Sequence, residues 1–403
     1  MDERIDAALG VNRPARVATT WGIALVLWVA TRAGYVLVSY LATALHLYQA
    51  PANFAGPLTA WMRWDTNWYL IVSRVGYTTP VAGEFFPLYP ASVGAVSWIL
   101  GDGSGPVFPA PDRVRLGVAL GLSNLALLAA VYAIARLALL DRPTDSGAGV
   151  RSMVVMLAYP LAVAWTAAYS ESYFLALAAF TLLFARQGRW YAAAGTAFLL
   201  GLTRPLAPIV VLPLLWEWGR QVGWASVLSR DRLRDWARGV VAVAAVPAGM
   251  LVFFVYCWRQ FGDFLLPMHT AFKYWHKVTE PPWWTLPVAV QRLVHDPGNT
   301  NLLGFELGLL AVVVILTVVS IRKMPVAYTL YTAGLLALTL WTVVPSQRDL
   351  LWGTARYLGM AIPIYLLLAR WGDRREWLTP SIAAVGFLVQ GVLTVALFQM
   401  KPV

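Results

Sequence analysis

The sequence of 403 residues is poor in charge, since 13% of its residues are Asp, Glu, Lys or Arg and 59% are hydrophobic. A soluble domain carries about a quarter charged residues, and a soluble chain this apolar would expose large apolar patches. The mean hydropathy is +0.62, and many apolar runs have the length that spans a bilayer. These features exclude a soluble domain and predict an all-α, polytopic membrane protein.

Cysteine is almost absent, because Cys257 is the single one. An intramolecular disulfide is therefore excluded, and the redox compartment stays undetermined. The sequence also lacks Rossmann glycines, a P-loop, HExxH and CxxC, so ATP-driven and metalloprotease chemistry have no support. No cofactor is predicted with certainty, and dependence on a divalent metal is left open because no cluster of ligand residues is evident.

The positive charge lies in short loops between apolar runs, although the net charge is +11. This distribution indicates membrane topology and contact with anionic lipid, and no nucleic acid partner is expected. Residues 220–238 carry five arginines and are placed in the cytoplasm. Residues 17–45 are interpreted as an uncleaved first span with a cytoplasmic N-terminus.

Run lengths predict about 10 to 12 transmembrane helices, all within one membrane-embedded domain covering residues 1–403. Two longer segments without long apolar runs, residues 46–84 and 259–300, are predicted as external loops with amphipathic helices. The charges place both loops on one side, together with residues 169–172, 203–205 and 345–353. Residues 85–100 do not fit this alternation. Either these residues cross the membrane, are re-entrant or span only half of it, or the charge of one loop gives the wrong side for that loop.

The stretch from Trp61 to Pro90 combines ionisable, aromatic and proline residues between two apolar spans. Trp61, Trp64, Trp68 and Ile71 have helical spacing, which predicts an amphipathic helix at the membrane interface. Asp65 lies one residue after Trp64, near the boundary between the wet and the apolar face of that helix. It is either an aspartate paired with a neighbouring arginine or a general base, since a carboxylate near apolar surface can be tuned to accept a proton from a sugar hydroxyl.

Two further charged residues lie in predicted external turns. Glu171 begins an apolar span, where it either caps the helix dipole or binds a sugar hydroxyl. Arg204, followed by Pro205, is either an arginine that snorkels to the interface or a ligand of a phosphate.

Residues 264–284 are basic and aromatic. His269, Lys273, His276 and Lys277 fall on one side of a predicted helix, which faces lipid headgroups or binds polyprenyl phosphate. The two histidines are seven residues apart, which is not a chelating spacing and argues against a metal site there. Arg356 lies just inside a later span, where a buried cation needs a partner such as a phosphate.

Several motifs occur in the order found in one known family. They are Arg63-Trp64-Asp65, Gly76-Tyr77, Phe85-Phe86-Pro87-Leu88-Tyr89-Pro90, Pro160 with Ala168-Tyr169-Ser170-Glu171, Glu280-Pro281-Pro282-Trp283, and Arg356-Tyr357-Leu358-Gly359 with Pro363. These motifs resemble those of the PIG-V family of GPI mannosyltransferase 2 and its bacterial relatives. The chain departs from the eukaryotic members at Trp68, where they have histidine, and at residues 203–205, where they have Arg-Ser-Asn.

The resemblance implies a GT-C glycosyltransferase fold, a polyprenyl- or dolichyl-phosphate mannose donor and inversion at the sugar. It also implies a catalytic aspartate in the first external loop, which corresponds to Asp65. The departures leave the acceptor undefined. A role in glycolipid biosynthesis at the cell membrane is expected, with the active site on the extracytoplasmic side.

The combined hypothesis is a mannosyltransferase that moves mannose from a polyprenyl phosphate to a lipid or glycan acceptor. Asp65 is predicted as the base and Arg356, Arg204 and Lys273 as ligands of the donor phosphate. The predicted substrate-binding residues are Arg63, Trp64, Glu171, Tyr169, His276 and Tyr89. A transporter or flippase of polar lipids, which would show internal repeats and broken helices, and a non-catalytic membrane partner remain the alternatives. The sugar, the acceptor and the oligomeric state stay undetermined.

Overall fold

A computed structural model describes residues 13–48, 57–101, 113–224, 233–296, 298, 302–345 and 350–399. Residues 49–56 of the predicted first external loop, and 297, 299 and 300 of the second, lie outside this part of the chain. The helices are α1 (Arg13–Ala44), α2 (Asp65–Val75), α3 (Leu88–Ile99), α4 (Arg113–Asp141), α5 (Ala148–Leu157), α6 (Val163–Thr166), α7 (Glu171–Arg186), α8 (Trp190–Gly201), α9 (Val211–Val222), α10 (Leu233–Phe261), α11 (Leu266–Trp275), α12 (Pro282–His295), α13 (Leu303–Lys323), α14 (Val326–Leu340), α15 (Thr354–Leu358), α16 (Ile362–Gly372) and α17 (Leu378–Phe398).

The prediction of an all-α, polytopic membrane protein is confirmed. Among the described residues, five helices are long and apolar enough to cross a membrane, namely α1, α4, α10, α13 and α17. Four shorter apolar helices, α3, α5, α14 and α16, pack among them. The other regular elements in the described part of the chain are 3-10 helices at Pro57–Trp61, Pro80–Glu84 and Ala207–Val210, and the two-residue strands β1 (Val278–Thr279) and β2 (Thr342–Val343). The expected number of 10 to 12 spans stays a prediction.

The spans differ in how deeply they lie in the bundle. In the apolar stretch of α4, 56% of the residues are buried, whereas 17% are buried in that of α1. Leu127, Val131 and Ile134 of α4 are fully buried, because α4 packs against both α5 and α7. Helix α4 therefore forms part of the centre of the bundle, and α1 presents most of its surface to the surroundings.

Helix α3 explains why residues 85–100 disturb the predicted alternation. The Tyr89 hydroxyl donates to the Ala119 carbonyl at 2.9 Å, and Gly94 lies against Ser73, whose hydroxyl accepts from Arg115 at 3.1 Å. Later residues of α3 therefore lie beside earlier residues of α4, which means that the two helices run antiparallel. Its 12 residues span about 18 Å, less than the roughly 30 Å of hydrocarbon core. Helix α3 stays within the half of the molecule that holds the start of α4.

The charged groups gather at two opposite ends of the bundle. Helix α7 has 16 residues, from Glu171 to Arg186, and is about 24 Å long. At the Arg186 end, that guanidinium pairs with Asp141 and, at 3.0 Å, with Glu217. We call this the arginine-rich end. It also contains a cavity of about 220 Å³, whose charged lining residues are Asp141, Arg142, Arg186 and Arg370.

The loops that the charge pattern places on one side meet at the other end of the bundle. Lys277 of the second external segment pairs with Glu84 of the first, and β1 pairs with β2 through Val278 and Val343. Arg356 pairs with Asp65. With α3 turning back as described, this arrangement agrees with the predicted alternation of the loops.

Two glycines allow α8 and α10 to approach closely. A Cβ atom on Gly201 would lie 2.3 Å from the Val246 carbonyl oxygen, and one on Gly249 would lie 2.2 Å from that of Phe198. Neither backbone oxygen can move without shifting its helix. The crossing therefore requires residues without a side chain at both positions.

We expect Gly201→Ala to destabilise the protein by about 1–3 kcal/mol, because the added methyl group overpacks a backbone contact. Gly195→Ala, on the same helix, is the matched control, since a Cβ atom there meets open space. The control should be neutral or stabilising by up to about 1 kcal/mol through helix propensity. Thermal unfolding in detergent measures the stability of both variants. Equal unfolding temperatures would contradict the close crossing of α8 and α10.

Candidate active site

The first residue of α2 is Asp65, and the backbone just before it is strained. Trp64 has φ 49° and ψ −119°, a combination that non-glycine residues rarely adopt. The Trp64 indole packs edge-on against Trp352, with ring centroids 5.8 Å apart. The helix predicted from Trp61 therefore begins later, because the chain turns sharply at Trp64. Such strain is typical of positions that surrounding structure holds for a function.

A chain of alternating charges connects Asp65 to three other segments. Asp65 Oδ2 accepts from Arg356 Nη1 at 2.9 Å. Arg356 Nε lies 3.2 Å from Glu171 Oε1, and Glu171 Oε2 lies 2.8 Å from Arg204 Nη1. These four residues come from α2, α15, α7 and the turn after α8. Sequence reasoning selected all four, and the structure brings them together in one cluster.

Aromatic rings enclose the two guanidinium groups. The Arg356 Cζ lies 5.5 Å from the centroid of the Tyr169 ring and 5.6 Å from that of Tyr357. The Arg204 Cζ lies 5.4 Å from the centroid of the same Tyr357 ring. Cations near aromatic rings are stabilised without being neutralised. Both arginines thus keep their positive charge while being shielded from water.

Hydrogen bonds fix the turn that carries Glu171. The Tyr69 hydroxyl and the Ser170 hydroxyl are 2.6 Å apart, and Ser170 also accepts from Arg204 at 3.2 Å. The Tyr169 hydroxyl donates to the backbone carbonyl of Arg63 at 3.2 Å. The start of α7 is therefore tied to the segment around Asp65 on two sides.

A third cation approaches the cluster from the second external segment. Lys277 pairs with Glu84 and lies near Tyr357 and Asp65. Burial is the largest influence on the pKa of Lys277 and lowers it, but the fields of Tyr357, Glu84 and Asp65 outweigh it and raise the pKa above its ordinary value. Lys277 is therefore protonated at neutral pH.

The acids of the cluster differ in their access to solvent. The side chain of Asp65 is 22% exposed, whereas that of Glu171 is completely buried. Glu171 lies behind Arg204 and Arg356 and holds them, so the geometry gives it a positioning role. Asp65 is the carboxylate that an incoming molecule can reach.

Four of the predicted site residues lie outside the charge cluster. Arg63 donates through Nε to the Phe398 carbonyl at 3.1 Å, and the Tyr89 hydroxyl bonds to α4, so both stabilise the fold. Lys273 and His276 are exposed. Helix α11 ends at Trp275, and His276 has a left-handed conformation with φ 52°. The four basic residues predicted on one helical side are therefore separated, and only Lys277 turns toward the site.

Sequence reasoning missed the contributions of Glu84 and Tyr357. It placed Lys277 on the basic helix side but selected Lys273 as the phosphate ligand. Tyr357 directly follows Arg356, so the motif itself contained that signal. The pairing of Lys277 with Glu84 joins positions 193 residues apart, which no local pattern predicts. Among the described residues, no group of three or more His, Cys, Asp or Glu side chains is arranged to hold a metal ion.

Two crystal structures of the oligosaccharyltransferase of Archaeoglobus fulgidus are similar to this chain. The complex with zinc and sulfate has 12% identity and a TM-score of 0.44, and covers 93% of this chain and 53% of that one. The protein tethered through a disulfide to an acceptor peptide with the NVT sequon has 13% identity and a TM-score of 0.41, with coverage of 94% and 56%. This chain thus spans about half the length of those proteins.

No protein-family model and no curated protein matches the sequence. The resemblance to the PIG-V family therefore stays a prediction. The likeness to the archaeal structures is too weak to assign an activity.

We expect Glu171→Gln to lower the free energy of unfolding by about 3–5 kcal/mol, because it leaves two largely buried guanidinium groups without their shared carboxylate. The measurement is thermal unfolding of detergent-purified protein. Glu376→Gln, at an exposed position, is the matched control and should change the stability by less than about 0.5 kcal/mol. If Glu171→Gln unfolds at the same temperature as the wild type, the pairing of Glu171 with the two arginines does not stabilise the fold.

Proposed function

We propose that this chain is a membrane glycosyltransferase with Asp65 as its general base. The observation that carries the proposal is the partly exposed Asp65 carboxylate, 2.9 Å from an arginine that a fully buried glutamate holds in place. A single reachable carboxylate beside fixed cations suits transfer from a phosphate-activated sugar. Such a transfer with inversion needs one base and a stabilised leaving group, not the carboxylate pair of a hydrolase.

In the proposed reaction, Asp65 removes the proton from an acceptor hydroxyl as its oxygen attacks the anomeric carbon of the donor sugar. The bond between that carbon and the phosphate oxygen breaks, and the phosphate leaves on its lipid. The sugar inverts because attack and departure occur on opposite faces. The strained backbone at Trp64 supports this role, since it fixes the direction in which Asp65 points.

The donor phosphate is proposed to bind the cations of the cluster. Arg356, Arg204 and Lys277 supply three positive charges, which Asp65, Glu171 and Glu84 balance in the structure described here. A phosphate that binds Arg356 competes with Asp65 for it. Donor binding would therefore release the Asp65 carboxylate at the moment when a base is needed.

The same cations stabilise the charge that develops on the departing phosphate. Donors that are already oriented toward a developing negative charge contribute strongly to catalysis when water is excluded. The rings of Tyr169 and Tyr357 lie beside Arg356 and lower the local dielectric, which strengthens each of these interactions. In this proposal Lys277 takes the place of Lys273, which is exposed.

The arrangement of charge supports an extracytoplasmic site. Arg142, Arg151, Arg186 and Arg370 lie at the end of the bundle opposite to Asp65, and clustered arginines mark the cytoplasmic side. A lipid-linked donor within the membrane suits a site bounded by spanning helices. Mannose on a polyprenyl phosphate, transferred to a lipid or glycan acceptor, follows from the resemblance to the PIG-V family.

We expect Asp65→Asn to reduce transfer of radiolabelled mannose from polyprenyl-phosphate mannose to membrane lipid by at least roughly 100-fold, because the amide cannot accept the proton. The assay uses protein reconstituted into liposomes, with unfolding temperatures measured in parallel. Asp263→Asn is the matched control, because Asp263, in the turn before α11, pairs with His269 outside the cluster. Full activity in a folded Asp65→Asn variant would remove the proposed base.

A further inference from the structure

Arg32 lies in the middle of the membrane-spanning helix α1. Its Nη1 donates to Asn124 Oδ1 of α4 at 2.6 Å, and its Cζ lies 5.0 Å from the centroid of the Tyr35 ring. Its Nε is buried without an acceptor. Throughout the described part of the chain, no carboxylate forms an ion pair with this guanidinium. Its charge is therefore only partly compensated.

Apolar side chains flank Arg32 on both sides along α1. Leu25 and Val29, before Arg32, and Val36 and Leu41, after it, are all exposed apolar side chains. From Arg32 to Leu41 the helix rises about 13 Å, and lipid-facing residues continue over this distance. A charged residue at this depth is costly, and it normally faces a partner.

The neighbouring face of α4 is shaped for the close approach of another helix. Gly117 and Gly121 are exposed and a Cβ atom on either would meet open space, so they form a free GxxxG pair. Asn124, which binds Arg32, follows less than one turn later. Small residues at this spacing let helix backbones pack closely in a membrane. The free pair therefore lies directly beside the uncompensated arginine.

A second copy of this chain does not provide the complementary charge. In the five spanning segments, residues 19–44, 113–141, 236–261, 303–323 and 378–398, the acids are Asp141, which pairs with Arg186 at the end of α4, and Glu306, which is buried in α13. A symmetric contact through α1 and α4 would place Arg32 near its own copy, which is repulsive. The occupant must come from a different protein.

We propose that the groove between α1 and α4 binds the transmembrane helix of a different protein, and that this helix carries an aspartate or glutamate at the depth of Arg32. The GxxxG pair would admit its backbone, and the carboxylate would pair with Arg32. This interaction surface does not involve the Asp65 cluster, so it does not depend on the proposed activity.

A synthetic helix tests the surface without knowledge of the natural partner. Dansyl-labelled Leu-Ala transmembrane peptides with one central Glu or Gln are added to the protein in nanodiscs at mildly alkaline pH. Energy transfer from the protein's tryptophans reports binding. We expect the Glu peptide to bind roughly tenfold more tightly than the Gln peptide. In Arg32→Leu this preference should disappear, and in Arg32→Lys it should persist.

Two glycine variants test the groove separately from the charge. Gly121→Leu should weaken binding of both peptides, whereas Gly308→Leu, which fills open space on the exposed face of α13, should leave binding unchanged. Equal binding of the Glu and Gln peptides to the wild-type protein would overturn the proposal. A preference that survives in a folded Arg32→Leu protein would also overturn it.

Discussion

The organisation of this molecule depends on one buried carboxylate. Glu171 lies at the start of α7, is completely shielded from solvent, and holds Arg204 and Arg356 within ion-pair distance on its two oxygens. A charge at this depth is stable only if it is paired, so the turn after α8 and the short helix α15 must meet at α7. Arg356 then reaches Asp65, which ties the fourth segment to the same point.

The membrane explains why charge is confined to the two ends of the bundle. Backbone polar groups in lipid must be satisfied within helices, and charged side chains there require partners. Asp141, Arg186 and Glu217 form a paired network at the arginine-rich end, and the Glu171 network lies about 24 Å away at the other end of α7. Arg32 is the informative exception, because it lies in the middle of α1 and pairs with no carboxylate in the described part of the chain.

The sequence was sufficient to predict the class of fold and the central residues of the candidate site. Glu171, Arg204 and Arg356 lie at the ends of apolar runs, and Asp65 lies beside the amphipathic tryptophan pattern of the first external loop. Local sequence patterns could not show which way a side chain points or which way a helix runs. Lys273 and Lys277 share a predicted helical side, but the left-handed conformation at His276 ends the helix between them. The path of α3 likewise depends on contacts with α4 and Ser73 rather than on its own hydropathy.

A cryo-EM structure with a non-transferable phosphonate analogue of a polyprenyl-phosphate sugar tests the central claim most directly. The account predicts the phosphonate oxygens within hydrogen-bond distance of Arg356 and Lys277, with Glu171 still holding Arg356 and the Asp65 carboxylate released toward the sugar. Binding of the phosphonate instead in the cavity lined by Arg142, Arg186 and Arg370, with Asp65 still paired to Arg356, would contradict the account.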